Sequence, residues 1–103
     1  MADNVDEMKM GKIWQVYIVR CADGTLYTGV ACDIVRRVAE HNGKNGRGAR
    51  YTKGRRPVLL SYTETHPDIS EALKREASIK RLSKAKKETL VLSYENFGIA
   101  NLV

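Results

Sequence analysis

The segment from Ile13 to Cys21 (Ile-Trp-Gln-Val-Tyr-Ile-Val-Arg-Cys) constrains the fold more than any other part of this chain. It is dense in β-branched and aromatic residues, which pack well on a pleated surface, so it reads as a strand at the centre of a sheet. Ala22-Asp23-Gly24 follows as a turn, and Thr25 to Val30 returns as a second strand. The length of the turn decides which side chains share a face. A two-residue Asp-Gly loop puts Tyr17 and Tyr27 on opposite faces. A three-residue Ala-Asp-Gly loop, with Gly24 in the left-handed region, pairs Val19 with Tyr27 and Tyr17 with Gly29, and puts both tyrosines on one face. The residues alone leave both registers open.

The remaining elements follow from caps and periodicity. Asp33 is a good N-cap for a helix over Ile34 to His41, whose apolar positions are Ile34, Val35, Val38 and Ala39, and Asn42-Gly43 ends it. Residues 43–57 read as a long mobile loop, and Val58 to Thr65 as a third strand. Asp68 with Glu71 forms a capping box for a helix reaching about Leu82, and Ser83 caps a last helix reaching about Ser93. The order is β-β-α-β-α-α, an α+β fold with a small three-stranded mixed sheet covered by helices. At 103 residues a single domain is expected, over 12–93, between a flexible acidic tail at 1–11 and a C-terminal tail at 94–103.

Composition removes several function classes. Mean hydropathy is −0.41 and charge recurs throughout, so no run approaches the roughly 20 apolar residues of a membrane span. The N-terminus lacks the basic-then-apolar order of a secretion signal, and Cys21 and Cys32 make neither a disulfide framework nor a Cys-x-x-Cys motif. A cytoplasmic protein with reduced thiols, no membrane contact and no obligate protein partner is expected. The net charge of +6 is concentrated rather than spread. Arg36 to Arg56 holds eight cations against Glu40 alone, and Lys74 to Glu88 holds seven against Glu76 and Glu88. The second stretch is equally well explained as a solvated helix face. The first interleaves with Gly43, Gly46, Gly48, Gly54 and Tyr51, and suits a loop that wraps a phosphate backbone while its tyrosine meets a base or sugar. Arg36, Arg47, Arg50, Tyr51, Lys53 and Arg55 are its candidate contacts.

Three constellations carry possible chemistry. Glu76 falls on the arc that a helical wheel gives to Ile69, Ala72, Leu73 and Ile79, and a carboxylate on an apolar stripe needs a partner. That partner is either an arginine, in an internal salt bridge, or a divalent metal, for which a hard oxygen donor is suited. Arg37 and His41 are four residues apart and project from one helix face, as an arginine for a phosphate with a histidine beside it, or as ordinary surface. Tyr17 and Tyr27 suit strand packing, and a tyrosine of ordinary pKa near 10 serves as a base at neutral pH only where cations or a metal lower it. Gly29 inside a strand signals close backbone approach or a bulge.

Gln15-Val16-Tyr17, Tyr27-Thr28-Gly29, Asp33 through Arg37 to His41, and Ala72-Leu73-Lys74-Arg75-Glu76-Ala77 together resemble the GIY-YIG nuclease superfamily. Gly48-Ala49-Arg50-Tyr51-Thr52, Arg55-Arg56-Pro57 and Ile79-Lys80-Arg81-Leu82 are similar to its small stand-alone bacterial members. The likeness covers about residues 13–92, with Gln-Val-Tyr where the name-giving Gly-Ile-Tyr stands and Val30 where some members carry a lysine. It implies a metal-dependent, DNA-cleaving domain with its site on the sheet face. By resemblance, Tyr17 is the general base or the orienter of the attacking water, Tyr27 assists it and Gly29 lets the backbone pack close. Arg37 binds the scissile phosphate, His41 lies beside the phosphate or the tyrosine, and Glu76 holds one Mg²⁺ or Mn²⁺ ion. That model requires the three-residue hairpin loop. Nothing in the chain resembles a base-reading helix or finger, so little sequence specificity is expected. The competing reading keeps the fold as a nucleic-acid-binding module without turnover.

Overall fold

The computed structural model describes residues 13–102, with side chains to residue 95; the segment 1–11, expected as an acidic tail, lies outside the described residues. Strand β1 (Trp14–Arg20) runs through the middle of the sheet, with β2 (Leu26–Ala31) on one side and β3 (Leu59–His66) on the other. Four consecutive residues, Val16 to Val19, are buried, as expected of a strand covered on both faces. The hairpin closes with three residues in its loop: the Cys21 N–H donates to the Thr25 carbonyl at 2.8 Å, and Gly24 has φ +85°. Tyr17 therefore stands opposite Gly29 and Val19 opposite Tyr27, which puts both tyrosines on one face.

Both strand pairs are antiparallel, so the sheet is antiparallel and not mixed as expected. The direction of β3 depends on where the segment after the first helix delivers the chain, and local pattern does not encode that. A bulge between Ile18 and Val19 leaves Ser61 without a partner on β1, with Ile18 opposite Tyr62 and Val19 opposite Leu60.

Helices cover both faces. On one, Val16 and Ile18 pack with Ala72 and Ile79 of α3 (Ile69–Lys80) and Val91 of α4 (Lys84–Leu102). On the other, Tyr17, Val19, Cys21, Ala31 and Val58 pack with Ile34 and Val38 of α1 (Ile34–His41). Each fully buried aliphatic side chain contributes roughly 1.5–3 kcal/mol over leaving it in water. The caps are those read from the sequence: Asp33 accepts from the Arg36 N–H at 3.1 Å, Asp68 from the Glu71 N–H at 2.8 Å, and Ser83 from the Lys86 N–H at 3.2 Å. Helix α4 continues to Leu102, past its expected end near Ser93.

The largest departure is at 43–57. Instead of a loose loop, the chain forms a 3₁₀ turn at Lys44–Gly46 and a short helix, α2 (Arg50–Lys53), folded back onto α1 and the hairpin. Asn42 fastens its far end: Nδ2 donates to the Val58 carbonyl at 3.0 Å and Oδ1 accepts from the Val58 N–H at 2.7 Å. The Ala22 N–H donates to the Arg55 carbonyl at 2.9 Å. These are contacts distant in sequence, so no local pattern announces them.

Candidate active site

The register aims Tyr17 across Gly29 of the edge strand β2. A Cβ at position 29 would stand 2.6 Å from Tyr17 Cζ and collide with the hydroxyl, so only glycine admits the ring there. The hydroxyl meets His41, the last residue of α1, with Oη 2.7 Å from Nε2. His41 has no exposed surface and lies beside the tyrosine. Its Nδ1 is 2.9 Å from Thr52 Oγ1 of α2, and the Ala49 N–H donates to the same nitrogen at 3.4 Å. Tyr27 meets the His41 ring edge-on at 5.3 Å between centroids.

Arg37, one turn before His41, is fixed by two acceptors. Nη1 donates to Glu40 Oε1 at 3.0 Å and to the Arg47 carbonyl at 2.8 Å. Glu40 is itself buried, a carboxylate that orients the arginine and draws its own pKa below the ordinary value through that bond. Burial pushes the Tyr17 pKa up to about 12, against hydrogen bonding and positive charge from Arg37 that favour the phenolate. Burial, helped by the Arg37 charge, holds the His41 pKa down at about 4. At neutral pH the pair is a phenol and a neutral imidazole. Arg37 alone therefore does not turn Tyr17 into a resting base, because loss of water outweighs one cation.

Glu76 comes from α3 on the other side of the sheet. The buried line of that helix is Ala72 and Ile79, whereas Ile69 and Leu73 are exposed, so the wheel arc is narrower than expected and Glu76 sits half-buried at its margin. Its charge is felt by Tyr17. Its ion-pair partner is Lys80, with Oε2 at 3.4 Å from Nζ, and not the arginine of an internal salt bridge. Lys80 also reaches round the open edge of β2 to within 6.0 Å of the Tyr27 ring centre.

The cationic segment divides. Arg36, Arg47, Arg50 and Lys53 are exposed; Arg36 Nε also lies 3.5 Å from Glu40 Oε2. Arg55 is committed to the fold: Nε donates to Asp23 Oδ2 at 3.1 Å and Nη1 to the Tyr51 carbonyl at 2.8 Å, while the guanidinium sits 4.0 Å over the Tyr51 ring. Tyr51 also stacks on Tyr27 at 5.7 Å, so the ring suggested for a base already has two partners.

This arrangement has relatives. Residues 13–89 match the model of the GIY-YIG catalytic domain. The chain belongs to the GIY-YIG family. A UPF0213 protein of Desulfotalea psychrophila is 60% identical over 82 residues, covering 80% of this chain and 74% of that one. A UPF0213 protein of Halobacterium salinarum is 56% identical over 75 residues, covering 73% of this chain and 95% of that one. The solution structure of the protein EF2693 from E. faecalis superposes with a TM-score of 0.56 at 34% identity, over 85% of this chain and 92% of that one.

The GIY-YIG family of nucleases generally uses a divalent metal, and the donor chemistry here admits one of a particular kind. Among the described residues no group of three or more His, Cys, Asp or Glu side chains could enclose an ion. A single half-buried carboxylate suits Mg²⁺ or Mn²⁺ that keeps most of its water and takes its other ligands from a substrate phosphate. Glu76 has the donor chemistry for that role, and its charge acts on Tyr17.

Four residues packed around Tyr17, Arg37 and Glu76 were given no role by sequence reasoning. Glu40 and Lys80 lay at i+3 of Arg37 and i+4 of Glu76, spacings that signal ion pairs. Gly48 and Thr52 stood in the stretch Gly48-Ala49-Arg50-Tyr51-Thr52, which carried a resemblance but no role for either. Gly48 is required because a Cβ there would approach the Glu40 carbonyl to 2.7 Å and His41 Cα to 3.1 Å.

Proposed function

We propose that the chain is a divalent-metal-dependent endonuclease that hydrolyses phosphodiester bonds of DNA with little sequence specificity, acting in the cytoplasm. The observation that carries this reading is the convergence on one phenol: Tyr17 lies across Gly29, 2.7 Å from His41, within the fields of both Arg37 and Glu76. A cation, a carboxylate and a buried phenol acting on one another are the parts that phosphodiester hydrolysis needs.

Tyr17 orients the attacking water and takes its proton in the small fraction of molecules where the phenol has ionised. His41 holds the phenol in place, and Tyr27 packs against His41. Arg37 is anchored through Nη1, leaving the rest of its planar fork for the Tyr17 oxygen and a phosphate. Glu76 would hold the Mg²⁺ or Mn²⁺ ion, which when bound supplies electrostatic stabilisation of the leaving 3′ oxygen. Arg36, Arg47, Arg50 and Lys53 steer the phosphate backbone towards the site, and Arg55 with Tyr51 braces Tyr27. No described helix is long and apolar enough to cross a membrane.

The elevated Tyr17 pKa is the observation that favours a second reading, a nucleic-acid-binding module without turnover. One experiment separates the two. Labelled DNA and RNA substrates are incubated with Mg²⁺, Mn²⁺ or EDTA, using wild type, Tyr17→Phe and Glu76→Ala, each first checked for folding and DNA binding. Metal-dependent cleavage of DNA that both substitutions greatly reduce supports the nuclease. Salt-sensitive binding with no cleavage of any substrate by wild type supports the binding module.

A further inference from the structure

Thr52 has no exposed surface and sits where the cationic segment touches the floor of the site. Its Oγ1 lies 2.9 Å from His41 Nδ1 and 2.9 Å from the Ala49 carbonyl, and its one proton serves one of these at a time. The Ala49 carbonyl already accepts from the N–H groups of Thr52 at 3.1 Å and Lys53 at 3.2 Å. The Ala49 N–H, whose proton the peptide plane fixes, points at Nδ1 from 3.4 Å. An N–H on Nδ1 would face that amide proton head-on, whereas a lone pair on Nδ1 receives both it and the Thr52 hydroxyl. Gly48 makes this approach possible, since any Cβ there would push the segment off the end of α1.

We propose that Thr52 is a positioning residue that, with the Ala49 N–H, holds His41 in the Nε2–H tautomer, so that the imidazole donates to Tyr17 Oη. The consequence lies in the direction of the phenol proton. Because Oη accepts from His41 across 2.7 Å, the Tyr17 O–H turns away from the imidazole. His41 is then a fixed donor that steadies the phenolate once it forms, and not the base that removes the phenol proton. Thr52 touches neither substrate nor Tyr17; it acts through the imidazole.

For its kinetic consequence the inference rests on the nuclease reading, and for the tautomer on geometry alone, so the test has two arms. In the first, long-range ¹H–¹⁵N correlation spectra of the full-length ¹⁵N-labelled protein report which ring nitrogen of His41 carries hydrogen. His66 is the only other histidine, and a His66→Gln variant assigns the signals. The expected spectrum has hydrogen on Nε2 in wild type and Thr52→Ser, and a population with hydrogen on Nδ1 in Thr52→Val. In the second arm, Thr52→Val lowers kcat on DNA about tenfold to a hundredfold, the range typical of losing a histidine's outer hydrogen-bond partner, with KM unchanged and Thr52→Ser restoring the rate. Hydrogen on Nδ1 in wild type overturns the inference even if the enzyme is active, and so does an unchanged tautomer in folded Thr52→Val. If Thr52→Val does not fold, the wild-type and Thr52→Ser spectra decide. Hydrogen on Nε2 in a wild type that cleaves nothing upholds the tautomer and defeats only the nuclease reading.

Discussion

Glu64 on β3 and Glu76 on α3 are almost equally withdrawn from water, their side chains 20% and 19% exposed, yet they are held in opposite ways. Glu64 is saturated. The Tyr62 hydroxyl donates to Oε1, His66 Nε2 lies 2.6 Å from Oε2, and Arg75 Nε donates to both oxygens at 2.9 and 3.2 Å. Glu76 meets Lys80 at 3.4 Å, a contact along one helix face with a lysine that is half exposed. A carboxylate with three donors around it has had its desolvation compensated by the protein, and ties α3 to the sheet. A carboxylate with one loose partner keeps affinity for a further cation. Burial alone does not distinguish the two; the number and geometry of their donors does.

The largest effect that would break this comparison is at Glu76. Replacing it with glutamine keeps the volume and removes the charge, so DNA cleavage should fall by about 10³, the scale of several kcal/mol of transition-state stabilisation from a metal. Urea denaturation of the same variant should stay within about 0.5 kcal/mol of wild type, since the pair it loses is exposed on one side. A Glu76→Gln variant that is active, or badly destabilised, would make the two glutamates alike.

Tyr17 supplies the next largest effect, through pH. With its pKa up at about 12, the ionised fraction rises tenfold per pH unit throughout the range where DNA remains paired. Cleavage by wild type should therefore climb about tenfold per unit from pH 7 to 9, a slope that a base of elevated pKa dictates. Tyr17→Phe should be slower and flat. A flat profile in wild type would show Tyr17 acting only to orient the water.

Glu64 gives the reciprocal result. Glu64→Gln should cost about 2 kcal/mol of stability, the scale of hydrogen bonds to a charged group, while the folded variant cleaves DNA within about threefold of wild type. Burial raises the Glu64 pKa, but hydrogen bonds from Tyr62, His66 and Arg75 and the Arg75 charge outweigh it, leaving it below its ordinary 4.5. The unfolded chain then binds the proton more readily than the folded one. The contribution of Glu64 is full above about pH 4.5 and is lost as pH falls through the lowered value. Wild type and Glu64→Gln should therefore converge in stability on acidification, which paired urea curves between pH 3 and 7 would record.

Much of this was legible in the chain before any coordinates. The strand at Ile13 to Cys21 and the turn at Gly24 announce the hairpin, while the register that puts Tyr17 opposite Gly29 was one of two that the residues left open. Asp33, Asp68 and Ser83 announce their helices because capping is a local hydrogen bond. Glu76 stood out as a charge on an apolar stripe. What stayed hidden was tertiary. The folding of 43–57 onto His41 depends on Asn42 gripping Val58 and on Thr52 meeting an imidazole eleven positions away, in a stretch of glycines and cations without period. The Tyr17 pKa was hidden for the same reason, because burial is set by how that segment and α1 close over the sheet.

The smallest effect tests whether Lys80 guards Glu76. At 3.4 Å from Oε2 its ammonium occupies the position of a counter-ion, and a cation entering the site must displace it or share the carboxylate with it. A pair exposed on its lysine side is worth roughly 0.5 kcal/mol, so Lys80→Met should lower the Mg²⁺ concentration for half-maximal cleavage about twofold. The same change removes a positive charge 6.0 Å from the Tyr27 ring centre, on the face where DNA would lie. If Lys80 also contacts a phosphate, the salt dependence of DNA affinity should become shallower by about one charge. A lower half-maximal Mg²⁺ concentration with an unchanged salt slope assigns Lys80 to Glu76 alone. An unchanged Mg²⁺ requirement with a shallower slope assigns it to DNA, and leaves Glu76 with no protein cation competing for it.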